Sequence, residues 1–195
     1  MANSDLEVKL CADAAVLVVV EQLTGNILLT QRSAHLNSHS AEVALPGGKC
    51  ELCDQTILAT ALRETYEEVG LRPDSLNVIS ELPMGVTAAG IRVKPFVATT
   101  LSGSDACINS EELDAVFWLP EEVLVTDTRI RTDVFELDGK EFWSPAYRYE
   151  RFEIWGFTSR VLVDYMRLCR DIFIHKNNPA PIALHKPRVI PGSSV

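Results

Sequence analysis

The order of apolar patterns along the chain predicts an α+β protein, with a mixed β-sheet held between two main helices. Three stretches carry that prediction. Residues 14–20 form a continuous, largely β-branched run, suited to a strand buried on both faces. Residues 55–69 place Leu58, Ala61, Leu62, Thr65 and Val69 at helical intervals. From Trp155 onward, Phe157, Val161, Leu162, Tyr165, Leu168 and Ile172 repeat at the same spacing, so a second long helix is expected on the sheet's other face.

After the first strand, Gly25-Asn26 reads as a turn and residues 27–32 as the paired strand. A short polar stretch, residues 33–42, leads through Val43-Ala44-Leu45 to Pro46-Gly47-Gly48. Those glycines predict a tight turn that brings a backbone carbonyl close to a metal or phosphate. The first helix is expected to open at Asp54, a good N-cap, and to end at Gly70 with Pro73 beyond. Residues 76–82 and 91–100 read as strands joined by a glycine-containing loop, and Pro95 places part of the second on an edge or at a bulge. Residues 101–110 are loop-like. Val116-Phe117-Trp118-Leu119 then meets Pro120, which suits N1 of a short helix. Strands are expected at residues 133–137 and 141–143, turned by Asp138-Gly139, and another at 147–152. Residues 1–176 thus form one domain, and the Pro-rich residues 177–195 read as a tail with little to bury.

Composition narrows the function. A chain of 195 residues with 47% apolar content can bury one sizeable core. The longest apolar run is far short of the roughly 20 residues a bilayer requires, so a soluble, cytoplasmic protein is expected, as monomer or homodimer. A net charge of −9 without a basic tract argues against general nucleic-acid or acidic-membrane binding. The five cysteines form no even framework. Cys50 and Cys53 make a C-x-x-C, but a zinc site needs a second ligand pair, and the motif sits in a turn before the helix; free thiols are the expectation.

The polar side of the first helix is the most informative feature. Glu64, Glu67 and Glu68 follow Arg63 within about one turn, with no lysine interleaved. They crowd the helix's negative pole, where carboxylates are disfavoured. A divalent cation is the natural neutraliser, whereas a merely solvated acidic face would carry alternating charge.

Gly48, Asp54 and the run Arg63-Glu64-Thr65-Tyr66-Glu67-Glu68-Val69-Gly70-Leu71 resemble the Nudix box, G-x5-E-x7-R-E-U-x-E-E-x-G-U, where U is bulky and apolar. Three departures are visible: one extra residue before Arg63, Asp54 for the first glutamate, and Thr65 at an apolar position. The resemblance implies an α/β/α sandwich and metal-dependent hydrolysis of a diphosphate in a small molecule. It further implies that Glu64, Glu67, Glu68 and the Gly47 carbonyl hold Mg²⁺ or Mn²⁺, with Arg63 fixing the carboxylates. The general base would come from the box or from Glu112, where one branch of the family carries a later glutamate.

That branch is the coenzyme A pyrophosphatases. Leu28-Leu29-Thr30-Gln31-Arg32-Ser33, His39 and Leu45-Pro46-Gly47-Gly48 are similar to its motif L-L-T-x-R-S-x3-R-x3-G-x3-F-P-G-G, and Ile154-Trp155-Gly156-Phe157-Thr158 looks like the same branch. Asn37, Ala41 and Leu45 replace the motif's Arg, Gly and Phe. The implied reaction cleaves coenzyme A or its thioesters to 3′,5′-ADP and (acyl-)4′-phosphopantetheine, with Arg32, Ser33 and His39 as substrate-binding candidates. Two alternatives stand beside it. One is another nucleoside diphosphate derivative such as ADP-ribose or NADH, or a nucleoside triphosphate; the other is an inactive binding module, against which the intact glutamates count.

Overall fold

The computed structural model describes residues 12–34, 42–101, 105–108, 110–137 and 139–186. Among these, an eight-stranded mixed sheet is built from β1 (Ala14–Glu21), β2 (Ile27–Arg32), β3 (Val43–Ala44), β4 (Gly47–Lys49), β5 (Asn77–Glu81), β6 (Gly85–Val86), β7 (Arg92–Thr100) and β8 (Leu113–Leu119). Helix α1 (Ile57–Val69) follows β4, and the short α2 (Glu122–Val125) follows β8. A second, four-stranded sheet comprises β9 (Arg131–Leu137), β10 (Lys140–Tyr149), β11 (Phe152–Ile154) and β12 (Ile182–Leu184), with α3 (Gly156–Cys169) between the last two.

Strand β1 is central because alternate residues serve opposite faces. Ala15, Leu17 and Val19 are buried with Ile57, Ala61 and Val69 of α1, while Val18 and Val20 are buried with Val161, Leu162, Tyr165 and Met166 of α3. This is the sandwich in residue terms, with one helix on each side of a mixed sheet. Strand β1 runs parallel to β7 over its whole length and antiparallel to β2 at Val20↔Ile27. Beyond that pair β1 and β2 splay. Strand β4 takes the β1 side, Ala14↔Lys49 to Val16↔Gly47, and β3 takes the β2 side, Thr30↔Ala44 and Gln31↔Val43. The fork carries Gly47-Gly48 to the C-terminal half of α1.

Several local expectations are corrected. Pro46-Gly47-Gly48 does not form a tight turn: Gly47 and Gly48 open a short strand, and the Pro46 carbonyl accepts from Leu17 N at 2.9 Å. Thr56, not Asp54, caps α1, its Oγ1 accepting from Ala59 N at 3.0 Å. Asp54 is buried against Arg63 instead, since a charged bidentate partner outweighs a cap worth about 1 kcal/mol. Gly70 does end the helix in the left-handed conformation, φ 74°. Leu58 and Leu62 are only partly buried, and Ile57 and Thr60 take the deeper positions.

Pro95 lies in the middle of the sheet, paired with Val16. Its carbonyl accepts from Leu82 N at 2.9 Å, so the position of its missing N–H faces the same side, where the neighbour is interrupted between β5 and β6. Pro120 falls two residues before N1 of α2, where its carbonyl accepts from Val123 N. The strand expected at residues 147–152 is divided: β10 ends at Tyr149, the chain turns at Glu150 (φ 52°), and β11 returns with Tyr149↔Phe152.

Segment 177–186 is tied down rather than loose. Strand β12 runs parallel to β9, and Asn178 Nδ2 donates to Asp127 Oδ2 at 2.9 Å. Its apolar side chains remain exposed, Ile182 at 62% and Leu184 at 80%, so the attachment is made by backbone and polar groups. No helix among the described residues is long and apolar enough to cross a membrane.

Candidate active site

Helix α1 lifts three carboxylates toward the fork. Glu68 is 8% exposed, and its Oε2 accepts from Gly47 N at 3.1 Å. Burial pushes its carboxyl up to about 7; the Gly47 N–H opposes this, Glu64 adds to it, and the more distant Arg32 and Glu112 act in opposite senses. Glu64 lies directly on Gly48, where a Cβ would stand 2.4 Å from its Oε1. Its carboxyl is also raised, by burial first, against the pull of Arg63 and with the repulsion of Glu67 and Glu51. The two acids therefore bracket Gly47-Gly48.

Arg63 organises the flank. It binds Asp54 through Nε at 2.9 Å and Nη2 at 3.0 Å, Glu64 Oε1 at 3.1 Å, Glu67 Oε2 at 2.9 Å and the Lys49 carbonyl at 3.1 Å. Asp54 also accepts from Thr60 Oγ1 at 2.9 Å and Glu51 N at 2.8 Å. Its carboxyl sits far below the usual range, chiefly because of Arg63, which is correspondingly held protonated. The anchoring of Arg63 by Asp54 and the Lys49 carbonyl, and the seating of Glu64 on Gly48, are the parts that residue spacing did not single out. The Gly-Gly pair was the available signal for the last.

At the end of β2, Arg32 Nη2 meets Glu112 Oε2 at 3.1 Å, both side chains partly exposed. Ser33 is buried, and its N–H donates to the Glu112 carbonyl at 2.7 Å, fixing the ends of β2 and β8 together. Of the residues singled out from sequence, Glu64, Glu67, Glu68, Arg63 and Gly47 are thus brought together, and the charges of Arg32 and Glu112 reach Glu68, with Ser33 bonded to Glu112. His39 lies outside the described residues. So does His35, which with His39 makes an H-x3-H pair of the spacing a zinc site uses.

Among the described residues, no three His, Cys, Asp or Glu side chains are arranged to hold an ion as they stand. Glu64 and Glu67 are turned onto Arg63 and Glu68 onto Gly47 N. The donor set nonetheless fits a hard divalent cation: all its side-chain atoms are carboxylate oxygens, and two of the acids carry charge that burial and each other disfavour.

The sequence profile of the NUDIX domain matches residues 12–137. The chain belongs to the Nudix family. The uncharacterized Nudix hydrolase NudL of Citrobacter koseri is 35% identical over 152 residues, covering 76% of this chain and 78% of its own, and that of Escherichia fergusonii is 34% identical over the same shares. Among solved structures, a Nudix hydrolase of Nitrosomonas europaea matches with TM-score 0.52 at 16% identity, over 92% of this chain and 79% of that one. A MutT/nudix family protein of Enterococcus faecalis matches with TM-score 0.53, also at 16% identity, over 82% and 62%. These two show the shared fold. The chain is thus a Nudix hydrolase, in a family that generally requires divalent metal ions.

Two glycine substitutions separate Nudix chemistry from folding. In Gly48→Ala the new methyl displaces only the Glu64 carboxylate, so kcat should fall roughly 100-fold with Tm nearly unchanged. In Gly47→Ala the methyl would stand 2.3 Å from the Ala15 carbonyl at φ 151°, so the loss should be about 3 kcal/mol or more of stability. Steady-state kinetics and thermal melting of the pair check both.

Glu68 also predicts a pH dependence for the metal-free Nudix domain. Its folded pKa of about 7 exceeds the ordinary value of 4.5, so the folded state holds a proton that the unfolded chain releases. Stability should therefore fall as pH rises from about 4.5 to 7, by on the order of 2–3 kcal/mol. Urea titrations of wild type and Glu68→Gln at both ends isolate this share; the variant lacks it.

Proposed function

We propose that this Nudix hydrolase cleaves the diphosphate of coenzyme A or its thioesters, giving 3′,5′-ADP and (acyl-)4′-phosphopantetheine, in the cytoplasm. The observation that carries the reading is the position of Arg32. It ends β2 within the Leu28-to-Ser33 motif and presents a partly exposed guanidinium whose charge reaches Glu68, with exposed Glu112 as its ion-pair partner. An incoming phosphate must compete with Glu112 for that guanidinium. Once displaced, Glu112 is a free carboxylate able to take a proton from the attacking water.

Glu64, Glu67 and Glu68, with the Gly47 carbonyl, are the proposed holders of Mg²⁺ or Mn²⁺. When bound, such an ion neutralises phosphate oxygens and acidifies a water. Arg63 keeps two of the acids in place through the Asp54 anchor, so that Glu64 and Glu67 start from fixed positions on α1.

The test is a panel of coenzyme A, dephospho-coenzyme A, ADP-ribose and NADH with Mg²⁺, the products separated by chromatography. Coenzyme A should be cleaved fastest. A charge-assisted contact from Arg32 to the 3′-phosphate is worth about 1.5–3 kcal/mol, so Arg32→Ala should lower kcat/KM for coenzyme A by roughly 10- to 150-fold. Dephospho-coenzyme A, which lacks that phosphate, should be nearly indifferent to the change. Faster turnover of ADP-ribose or NADH by wild type would replace this reading with the alternative substrate class.

A further inference from the structure

The loop between β4 and α1 carries two free thiols three residues apart, Cys50 partly buried and Cys53 exposed. Between them Leu52 stands fully in solvent at the tip of the turn. The thiols point to different partners. Cys50 Sγ lies 3.8 Å from the Ala12 carbonyl, and Cys53 Sγ lies 3.5 Å from Glu51 Oε2.

Three neighbours of these cysteines in the loop, Lys49, Glu51 and Asp54, touch the Arg63 clamp. The carbonyl of Lys49, the residue before Cys50, accepts from Arg63 Nη2. Glu51, between the cysteines, stands 3.9 Å from Arg63 and braces Asp54 twice, its N–H donating to Asp54 Oδ2 at 2.8 Å and its carbonyl accepting from Asp54 N at 3.2 Å. Asp54, the residue after Cys53, is the bidentate anchor itself. The clamp in turn holds Glu64 and Glu67.

We propose that Cys50 and Cys53 are a reversible oxidation site, and that the disulfide formed there lowers turnover by loosening the Arg63 clamp. The oxidant is a small-molecule disulfide. The exposed Cys53 thiolate attacks one of its sulfurs and expels one thiol. Cys50 then attacks the Cys53 sulfur of the mixed disulfide and expels the second. Two protein thiols lose two electrons and two protons, and the small disulfide becomes two thiols. The new bond takes Cys50 off the Ala12 carbonyl and Cys53 off the Glu51 carboxylate, because each sulfur must turn from its present partner to lie about 2 Å from the other. The turn bearing Glu51 and Asp54 must shift with them. Transient, regulatory disulfides of this kind are the ones a reducing compartment tolerates.

The kinetic part of this inference rests on the reading of Glu64 and Glu67 as catalytic groups; the chemical part does not. The experiment treats the full chain with oxidised glutathione, then measures intact mass, disulfide position by peptide mapping, amide exchange over α1, and kcat and KM with the best diphosphate of the panel. Expected are a loss of about 2 Da mapped to Cys50–Cys53, faster exchange in α1, a kcat lowered on the order of fivefold or more with KM little changed, and full recovery with dithiothreitol. Cys53→Ser should show none of these changes. Zinc held on the two thiols, a lasting glutathione adduct, or a disulfide mapped to another pair would overturn the proposal. So would a Cys50–Cys53 disulfide that leaves both α1 exchange and kcat unchanged. An enzyme that turns over no diphosphate would defeat the functional reading, while mass and exchange still decide the oxidation site.

Discussion

Glu68→Gln should lower kcat at least about 100-fold and leave the fold intact. The amide can still accept from Gly47 N, so the packing contact survives. What disappears is a negative charge that burial and the neighbouring Glu64 already disfavour. Without metal, Tm near pH 8 should hold or rise. Glu67→Gln should be similarly inactive for a related reason: it removes charge from the exposed end of the cluster, while Arg63 remains anchored by two bonds to Asp54. Circular dichroism and melting establish the fold, and turnover with Mg²⁺ reads the chemistry. Wild-type turnover by either variant contradicts the site.

The largest expected loss of stability lies elsewhere, at Asp127. The Arg129 side chain is fully buried, and Asp127 binds it with both carboxylate oxygens. Arg129 also donates to Thr132 Oγ1 and the His175 carbonyl, and its guanidinium lies 5.4 Å from the Trp143 ring centroid. Asp127 additionally accepts from Tyr147 Oη at 3.0 Å and from Asn178. Removing the acid strands a buried cation, which typically costs about 3–5 kcal/mol. For a domain of this size Asp127→Ala should then lower Tm by roughly 6–20 °C. The exposed pair Arg72–Asp74 supplies the control, since Arg72→Ala should leave Tm where it was. Equal melting of Asp127→Ala and wild type would show that the network carries no net stability.

Legibility in the sequence followed the range of the interactions. Strand β1, the body of helix α1 and the antiparallel pairing of β9 with β10 depend on periodicity or on a short turn signal, and they stand where pattern places them. The three glutamates share a face because helical spacing alone puts them there. Asp54 was misread as a cap because its partner Arg63 lies nine residues on, where charge pairing overrides local preference. Pro95 was placed on an edge or at a bulge; the interruption between β5 and β6 that accommodates it is a tertiary fact. That β9 to β12 form a sheet of their own and that residues 177–186 attach to it was not legible: Asp127 finds Asn178 across 51 residues, and no local pattern announces that meeting. The Arg32–Glu112 pair, 80 residues apart, is of the same kind.

The measurement that tests the account most directly is Mn²⁺ binding, followed by the loss of the free-ion electron paramagnetic resonance signal, for wild type, Glu68→Gln and Glu67→Gln. Wild type should take up the ion through the α1 carboxylates, and each variant should bind at least roughly tenfold more weakly. Equal uptake by wild type and both variants, or no uptake by wild type, would contradict the assignment of Glu64, Glu67 and Glu68 as the metal-holding face of this hydrolase.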